Sequence, residues 1–154
     1  MTENFIDIEA APEEVYKAFV DPQALEIWQA PGGMTAKVHW FELRVGGGYQ
    51  MSVFYPDTDR TSQGKTASKE DRYTSRFVEL VPGKKIVETI RFDTVLPDFQ
   101  GEMRMEVELE PVAQGTRVTI RFHDLPKGIR EEDNEAGTQS SLQKLAAYLQ
   151  QKRN

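Results

Sequence analysis

The sequence predicts an α+β fold in which one curved antiparallel sheet wraps around a long C-terminal helix. Three observations carry this expectation. Several segments alternate apolar and polar residues with the period of two that marks half-buried strands. Helical spacing is confined to a stretch after the first strand and to the C-terminus. The gaps between strands are short and rich in Gly and Pro, too short for the crossover helices that a parallel sheet requires.

Each element has its own justification. Ile6 and Ile8 alternate with Asp7 and Glu9 and predict the first strand. Ala11-Pro12-Glu13-Glu14 opens a helix, with Pro12 at the first helical position and two carboxylates at the positive end of the dipole. Val15, Ala18 and Phe19 form its inward stripe. Asp21 is the N-cap of a second short helix, which turns Leu25 and Trp28 inward. Strands follow from Met34 onward. Val38–Leu43 leads into Gly46-Gly47-Gly48, and Tyr49, Met51, Val53 and Tyr55 alternate with Gln50, Ser52 and Phe54, which makes a β-hairpin. Pro56–Asp71 is polar and predicts a long exposed loop. Four further strands are expected at Tyr73–Val81, Lys85–Phe92, Glu102–Glu110 and Thr116–His123. Met103, Met105, Val107 and Leu109 form one face of the third of these, and Arg104, Glu106 and Glu108 the other. Each such strand has a wet face and an apolar face, and Arg117 and Arg121 can meet acidic residues across the ladder. The acidic run Glu131–Glu135 then heads an amphipathic helix whose body begins near Gly137 and whose inward stripe is Leu142, Leu145, Ala146 and Leu149. The order is β-α-α-β-β-β-β-β-β-α. A sheet this short cannot close over its own apolar face, so the terminal helix must lie across it, and such an arrangement tends to leave a cavity.

Composition bounds the function. The 154 residues suit one domain, 1–154, and hold enough apolar and aromatic residues (38% and 10%) for a core. With 25 acidic against 19 basic residues the net charge is −6, which disfavours nucleic acid and anionic lipid as partners. The absence of cysteine excludes disulfides, thiolate metal sites and cysteine nucleophiles. The N-terminus has no signal-peptide pattern, and no segment has the length of apolar residues that a membrane span needs. A cytoplasmic location is expected.

Motifs for catalysis or metal binding are weak. No G-x-S-x-G elbow is present, and a Ser–His–acid triad would have to use His39 or His123, the two histidines of the chain. Asp57-Thr58-Asp59 begins like a calcium loop, yet Ser62 and Ser68 occupy the positions of its glycine and its glutamate. Gly46-Gly47-Gly48 precedes a strand rather than the helix a phosphate site needs, and Gly64-Lys65-Thr66 lacks the upstream glycine of a phosphate-binding loop. The acidic run at 131–135 reads as a solvated helix start. Neither a metal nor a cofactor is expected.

Two residues break the pattern of their strands. Glu88 shares a face with Ile86, Ile90 and Phe92, where a bare carboxylate costs several kcal/mol unless it is paired, protonated or wet. By alternation His39 shares a face with Phe41 and Leu43. Each can equally be a satisfied core residue. His123 beside Asp124 reads as a rim residue. Met51, Met103 and Met105 fall on inward faces, where thioethers suit irregular cores and adaptable binding sites alike, and with Phe41, Tyr49 and Tyr55 they can form an apolar wall. Trp40 and Phe54 point outward by the same alternation, which makes that face a candidate for a protein partner or a second copy of the chain.

The residues in this order resemble the SRPBCC superfamily of helix-grip folds: the StAR-related lipid-transfer, birch-pollen-allergen-like and polyketide-cyclase-like proteins. Within it the likeness is to bacterial proteins similar to the activator of heat-shock protein 90 ATPase. It is carried by Ala11-Pro12-Glu13-Glu14-Val15-Tyr16, Asp21-Pro22 with Leu25 and Trp28, and Arg44-Val45-Gly46-Gly47. It continues through Phe77–Pro82, Leu109-Glu110-Pro111, Gly115–Thr119 and Ser140-Ser141-Leu142 with Leu145. One departure is Gly137-Thr138, where many relatives carry Gly-Trp before the terminal helix. The resemblance implies a helix-grip fold, but it does not choose among functions, since one scaffold hosts several. The leading expectation is an apolar or aromatic small molecule held between sheet and helix by His39, Phe41, Tyr49, Met51, Glu88, Met103, Met105, Leu142 and Leu145. The alternatives are a cyclase or hydrolase using the same cavity, with Glu88 or His39 moving protons, and a module that contacts a chaperone. Homodimerisation through the Trp40 face is a further expectation.

Overall fold

A computed structural model of the chain describes residues 1–56, 64 and 69–153. Asp57-Thr58-Asp59 and Lys65-Thr66 lie outside the described residues, as does most of the polar stretch after Pro56.

The strands are β1 (Thr2–Ile8), β2 (Thr35–Glu42), β3 (Gly48–Phe54), β4 (Glu70–Val81), β5 (Lys85–Phe92), β6 (Met103–Val112) and β7 (Gly115–His123). The helices are α1 (Pro12–Phe19), α2 (Pro22–Trp28) and α3 (Glu131–Arg153), with a single 3₁₀ turn at Pro97–Phe99. All seven strands form one antiparallel sheet in the order β1-β7-β6-β5-β4-β3-β2. Strands adjacent in sequence from β2 to β7 are therefore adjacent in space, and β1 joins β7 at the far edge. The chain passes from one edge strand to the other through α1 and α2, and α3 returns across the apolar face.

Local chemistry fixes the helical connection. Pro12 begins α1 and Pro22 begins α2, while the Asp21 carboxylate accepts from Gln23 N at 3.0 Å. Trp28 Nε1 donates to Ala18 O at 2.9 Å, and the Trp28 ring meets Phe19 edge to face at 4.8 Å, so the two helices are locked in a V. The β2–β3 hairpin turns at Gly46, which has φ +86°. A Cβ on Gly48 would lie 1.9 Å from Ser75 O, so only glycine lets β3 approach β4 there.

Three expectations need correction. β4 begins at Glu70 rather than Tyr73, because the inward alternation of Tyr73, Ser75 and Phe77 extends back through the buried Asp71. α3 begins at Glu131 rather than near Gly137. The acidic residues are its first turn, where they suit the dipole. In β2 the register with β3 shifts between Val38 and Trp40, so His39 is the extra residue of a bulge and does not share the face of Phe41. Leu43 lies beyond the strand and is exposed.

The core lies between the sheet's apolar face and the helices. Leu142, Leu145 and Leu149 of α3 are fully or almost fully buried against it, as their spacing predicts. On the opposite face Arg117 pairs with Asp7 at 2.8 Å, and Arg121 bridges Glu3 and Glu108 at 2.6 Å each. The arginines of β7 thus tie β1 and β6 to their own strand, in exposed pairs worth tenths of a kcal/mol each. Removing side-chain volume under α3 should cost far more. Leu145→Ala is expected to lower stability by about 2–5 kcal/mol in urea unfolding, whereas Val95→Ala, at a residue 88% exposed, should stay within about 0.5 kcal/mol.

Candidate functional site

The space between sheet and helix is not completely filled. A cavity of about 380 Å³ lies between the apolar sheet face and the first half of α3, within the size range of small-molecule sites. Its sheet wall includes Met51, Tyr73, Met103, Met105, Ile120 and Phe122. Phe19 and Trp28 close the side formed by α1 and α2. The α3 side is polar or small: Asp133, Asn134, Gly137, Thr138 and Ser141 recur at helical spacing along one face. A leucine stripe begins where this face ends, so α3 changes from cavity wall to core filler along its length. Thr138, at the position of the Gly137-Thr138 departure, stands in the wall, and its small side chain leaves space.

The rim between α2 and β2 is held by α3. Ser141 Oγ donates to Gln29 O at 2.6 Å, Lys144 Nζ donates to Ala30 O at 2.5 Å, and Gly32 N donates to Ser140 Oγ at 2.8 Å. Burial of the Lys144 ammonium lowers its pKa. These bonds fix Gln29, Pro31 and Met34 as one edge of the cavity.

Of the residues expected at the site, Met51, Met103 and Met105 line the cavity. Phe41 and Tyr49 stack at 5.5 Å and pack against Phe77 beside it, in the core rather than on the wall. Leu142 and Leu145 are completely buried and also lie outside the lining. His39 is on the other face of the sheet, where its Nε2 meets Ser52 Oγ at 2.8 Å and Ser52 in turn donates to Glu70 at 2.5 Å. His123 pairs with Glu106 at 2.7 Å on that same face, which holds the Glu106 carboxyl below its usual range.

Glu88 is 1% exposed and lies on the same sheet face as the wall but outside the lining, flanked in register by Phe77 and Met105. Its Oε1 accepts from the Tyr49 hydroxyl at 2.8 Å and the Ser75 hydroxyl at 2.6 Å. Burial pushes its pKa up to about 6, and the two hydroxyl bonds restrain the rise by favouring the anion. Burial raises the Tyr49 and Tyr73 phenols as well, and the nearby carboxylate adds to this, so both remain protonated at neutral pH. Asp71 is buried at the cavity edge, where the Tyr55 hydroxyl donates to it at 3.1 Å.

Several lining residues escaped the sequence reading. Tyr73 and Asp71 were recoverable from alternation once β4 is extended to Glu70. Gln29, Phe99 and Asp133 come from a helix end, a 3₁₀ turn and the first turns of α3. Strand periodicity carries no signal for them. Among the described residues, no group of three His, Asp or Glu side chains is placed to hold a metal ion, and no helix is long and apolar enough to cross a membrane.

The raised pKa of Glu88 has a consequence for stability. The fold favours its protonated form, so the stability it contributes is complete below about pH 4.5 and is lost as the pH rises through about 6. Glu88→Gln preserves an acceptor for Tyr49 and Ser75 without the charge. The stability of this variant relative to wild type should therefore rise by about 2 kcal/mol between pH 4.5 and 7.5 in urea titrations. A constant difference would mean that Glu88 does not ionise in a buried setting.

Comparison with known proteins agrees with this architecture. The family model for "Activator of Hsp90 ATPase homolog 1-like protein" matches residues 9–150. The protein CV1439 from Chromobacterium violaceum is 34% identical, with a TM-score of 0.84 over 96% of this chain and 94% of that one. An AHSA1-like protein from Aeromonas hydrophila is 20% identical, with a TM-score of 0.72 over 99% and 94%. NE0264 from Nitrosomonas europaea is 19% identical, with a TM-score of 0.74 over 97% and 94%. The last two show likeness of fold alone. No curated protein matches the chain. The match across nearly its whole length shows that the chain belongs to the family of activator of Hsp90 ATPase homolog 1-like proteins.

Proposed function

We propose that this protein binds an apolar or aromatic small molecule in the cavity between the sheet and α3. The observation that carries this reading is the cavity itself: about 380 Å³ walled by aromatic rings and thioethers, with a few polar groups along one side. The thioethers of Met51, Met103 and Met105, which suit irregular cores and binding sites alike, here line open space, where they can adapt to differently shaped ligands. Glu88 supports binding over catalysis. It is outside the cavity lining and is satisfied by two hydroxyls, whereas a general acid or base must reach the proton it transfers.

A thermal-shift screen with lipids, flavonoid-like aromatics and polyketides tests this. A ligand of this class is expected to raise the melting temperature of wild type. Thr138→Trp, which places an indole in the cavity from α3, should abolish the shift with the fold intact by circular dichroism. A protein that responds to no member of the screen would overturn the reading.

One observation favours a second role. Trp40 is 44% exposed on the sheet face opposite the cavity, and an exposed tryptophan on a strand is a common anchor of protein contacts. A second copy of the chain, or a chaperone as the family's name suggests, is the partner in this reading. Light scattering of wild type and Trp40→Ser, with a pull-down using purified Hsp90, distinguishes the two. A mass that halves on substitution identifies a homodimer, Trp40-dependent Hsp90 capture identifies the chaperone contact, and an unchanged mass with no capture removes this role from the face.

A further inference from the structure

Two hydroxyls of the cavity wall have a direction that the backbone fixes. Thr138 and Ser141 are 9% and 8% exposed and line the cavity from α3. Thr138 Oγ1 donates to Asn134 O at 2.8 Å, and Ser141 Oγ donates to Gln29 O at 2.6 Å. A carbonyl only accepts and a hydroxyl has one proton, so each of these oxygens can offer a ligand lone pairs alone. The donors of this wall, Arg130 and the Asn134 amide, are nearer the start of the helix, beside Asp133. The sheet wall adds a carboxylate. Asp71 is 7% exposed, lines the cavity and accepts from the Tyr55 hydroxyl at 3.1 Å. A carboxylate accepts at about four positions, so it can keep its protein partners and take a ligand donor as well. Tyr73 follows two residues later on the same face of β4, and its ring meets Phe92 edge to face at 6.2 Å. Tyr55, Tyr73 and Phe92 all line the cavity, so the carboxylate is set among aromatic rings, whose faces attract cations. Against the carboxylates of Asp71 and Asp133, the one cation of the lining among the described residues is Arg130, which pairs with Glu132 at 3.2 Å where both are exposed.

We propose that the cavity selects an apolar or aromatic ligand that carries a primary amine, its ammonium held by Asp71 and the rings of Tyr55, Tyr73 and Phe92. The inference rests on the cavity being the ligand site and adds the chemistry that the site reads. A buried carboxylate loses hydration that a ligand ammonium replaces with charge-assisted hydrogen bonds, while the rings cover the rest of the cation. An alcohol of the same shape brings a donor without the charge. The corresponding carboxylate brings a second anion toward Asp71 and meets only lone pairs at Thr138 and Ser141.

Calorimetric titration with 1-naphthylmethylamine, 1-naphthalenemethanol and 1-naphthylacetate at pH 7 tests the proposal, since the three probes share one ring system and differ in charge. Wild type is expected to bind the amine about tenfold more tightly than the alcohol, the gain of a charged over a neutral hydrogen bond, and the carboxylate more weakly than either. Asp71→Asn keeps an acceptor for Tyr55 and removes the charge, so the ratio of amine to alcohol should fall below about threefold while both probes still bind. Phe92→Leu, which removes a ring beside the carboxylate, should lower the ratio about threefold and keeps the test open if Asp71→Asn does not fold. An amine bound no more tightly than the alcohol or the carboxylate in wild type, or a ratio unchanged in the folded variants, would overturn the proposal and leave the cavity reading standing. Binding of none of the three probes would overturn the cavity reading and this inference together.

Discussion

The contact between the leucines of α3 and the apolar face of the sheet determines where the molecule is solid and where it is hollow. Leu142, Leu145 and Leu149 are spaced to lie on one face of the helix and are buried almost completely. They hold α3 against the sheet at its C-terminal half. The same helical face carries Asp133, Asn134, Gly137, Thr138 and Ser141 in the N-terminal half. None of these can fill the distance to the sheet. Helix and sheet are therefore held apart by residues that do not occupy the gap, and the rim bonds from Ser140, Ser141 and Lys144 to the chain after α2 keep it from collapsing. A void of this size would be an expensive defect in a core built only for stability.

Glu88 fits the same logic. A well-packed apolar residue at this position would be as stable or more so, because a buried carboxylate loses its hydration and regains only part of it from neighbours. Here two hydroxyls converge on a single carboxylate oxygen, and their own positions are fixed by aromatic packing: Tyr49 stacks on Phe41 and contacts Tyr73 and Phe77. The carboxylate therefore orders the polar groups around it rather than adding to the stability of the core. Its register neighbours, Phe77 on β4 and Met105 on β6, place it on the sheet face that forms the cavity wall, next to the lining residue Met105.

The fold was largely legible in the sequence, and the site only in part, for reasons that lie in particular residues. Period-two alternation located β1 and β3 and most of β4, β5, β6 and β7, because each has one wet face and one apolar face. It also singled out Glu88 as the residue against the pattern, and this residue proved to be fully buried. It failed at His39, since a bulge leaves no mark in composition and reverses the face of every residue counted through it. The strand rule also stopped short of Asp71, because a carboxylate followed by an arginine resembles loop more than wall. Leu142 and Leu145 were read correctly as inward but lie past the end of the cavity. That boundary depends on which residues the rest of the helix brings to the same face. Gln29 could not be found from pattern at all: it is an ordinary polar residue at a helix end, and its importance comes from what the fold sets beside it.

The surface left for a protein partner is restricted by how the two sheet edges are finished. An unprotected edge strand invites pairing with another chain. At the β2 edge the backbone N–H of Val38 donates to the Glu26 carboxylate of α2 at 2.7 Å, so a side chain occupies a position that an added strand would need. At the β1 edge Asn4 Nδ2 donates to Glu135 O and Gln139 Oε1, and Thr2 Oγ1 bonds Asn134 at 2.5 Å, which binds the strand to the first turns of α3. Helices thus engage both edges. Strand addition is disfavoured, and two routes to a partner that stay open among the described residues are the face that carries Trp40 and the mouth of the cavity. The two routes are on opposite sides of one sheet, and β3 contributes to both, with Met51 on the cavity wall and Gln50 paired with Trp40 on the other side. A partner bound at Trp40 would therefore press on the strand whose alternate residues line the ligand site, which gives the molecule a short physical connection between its two candidate surfaces.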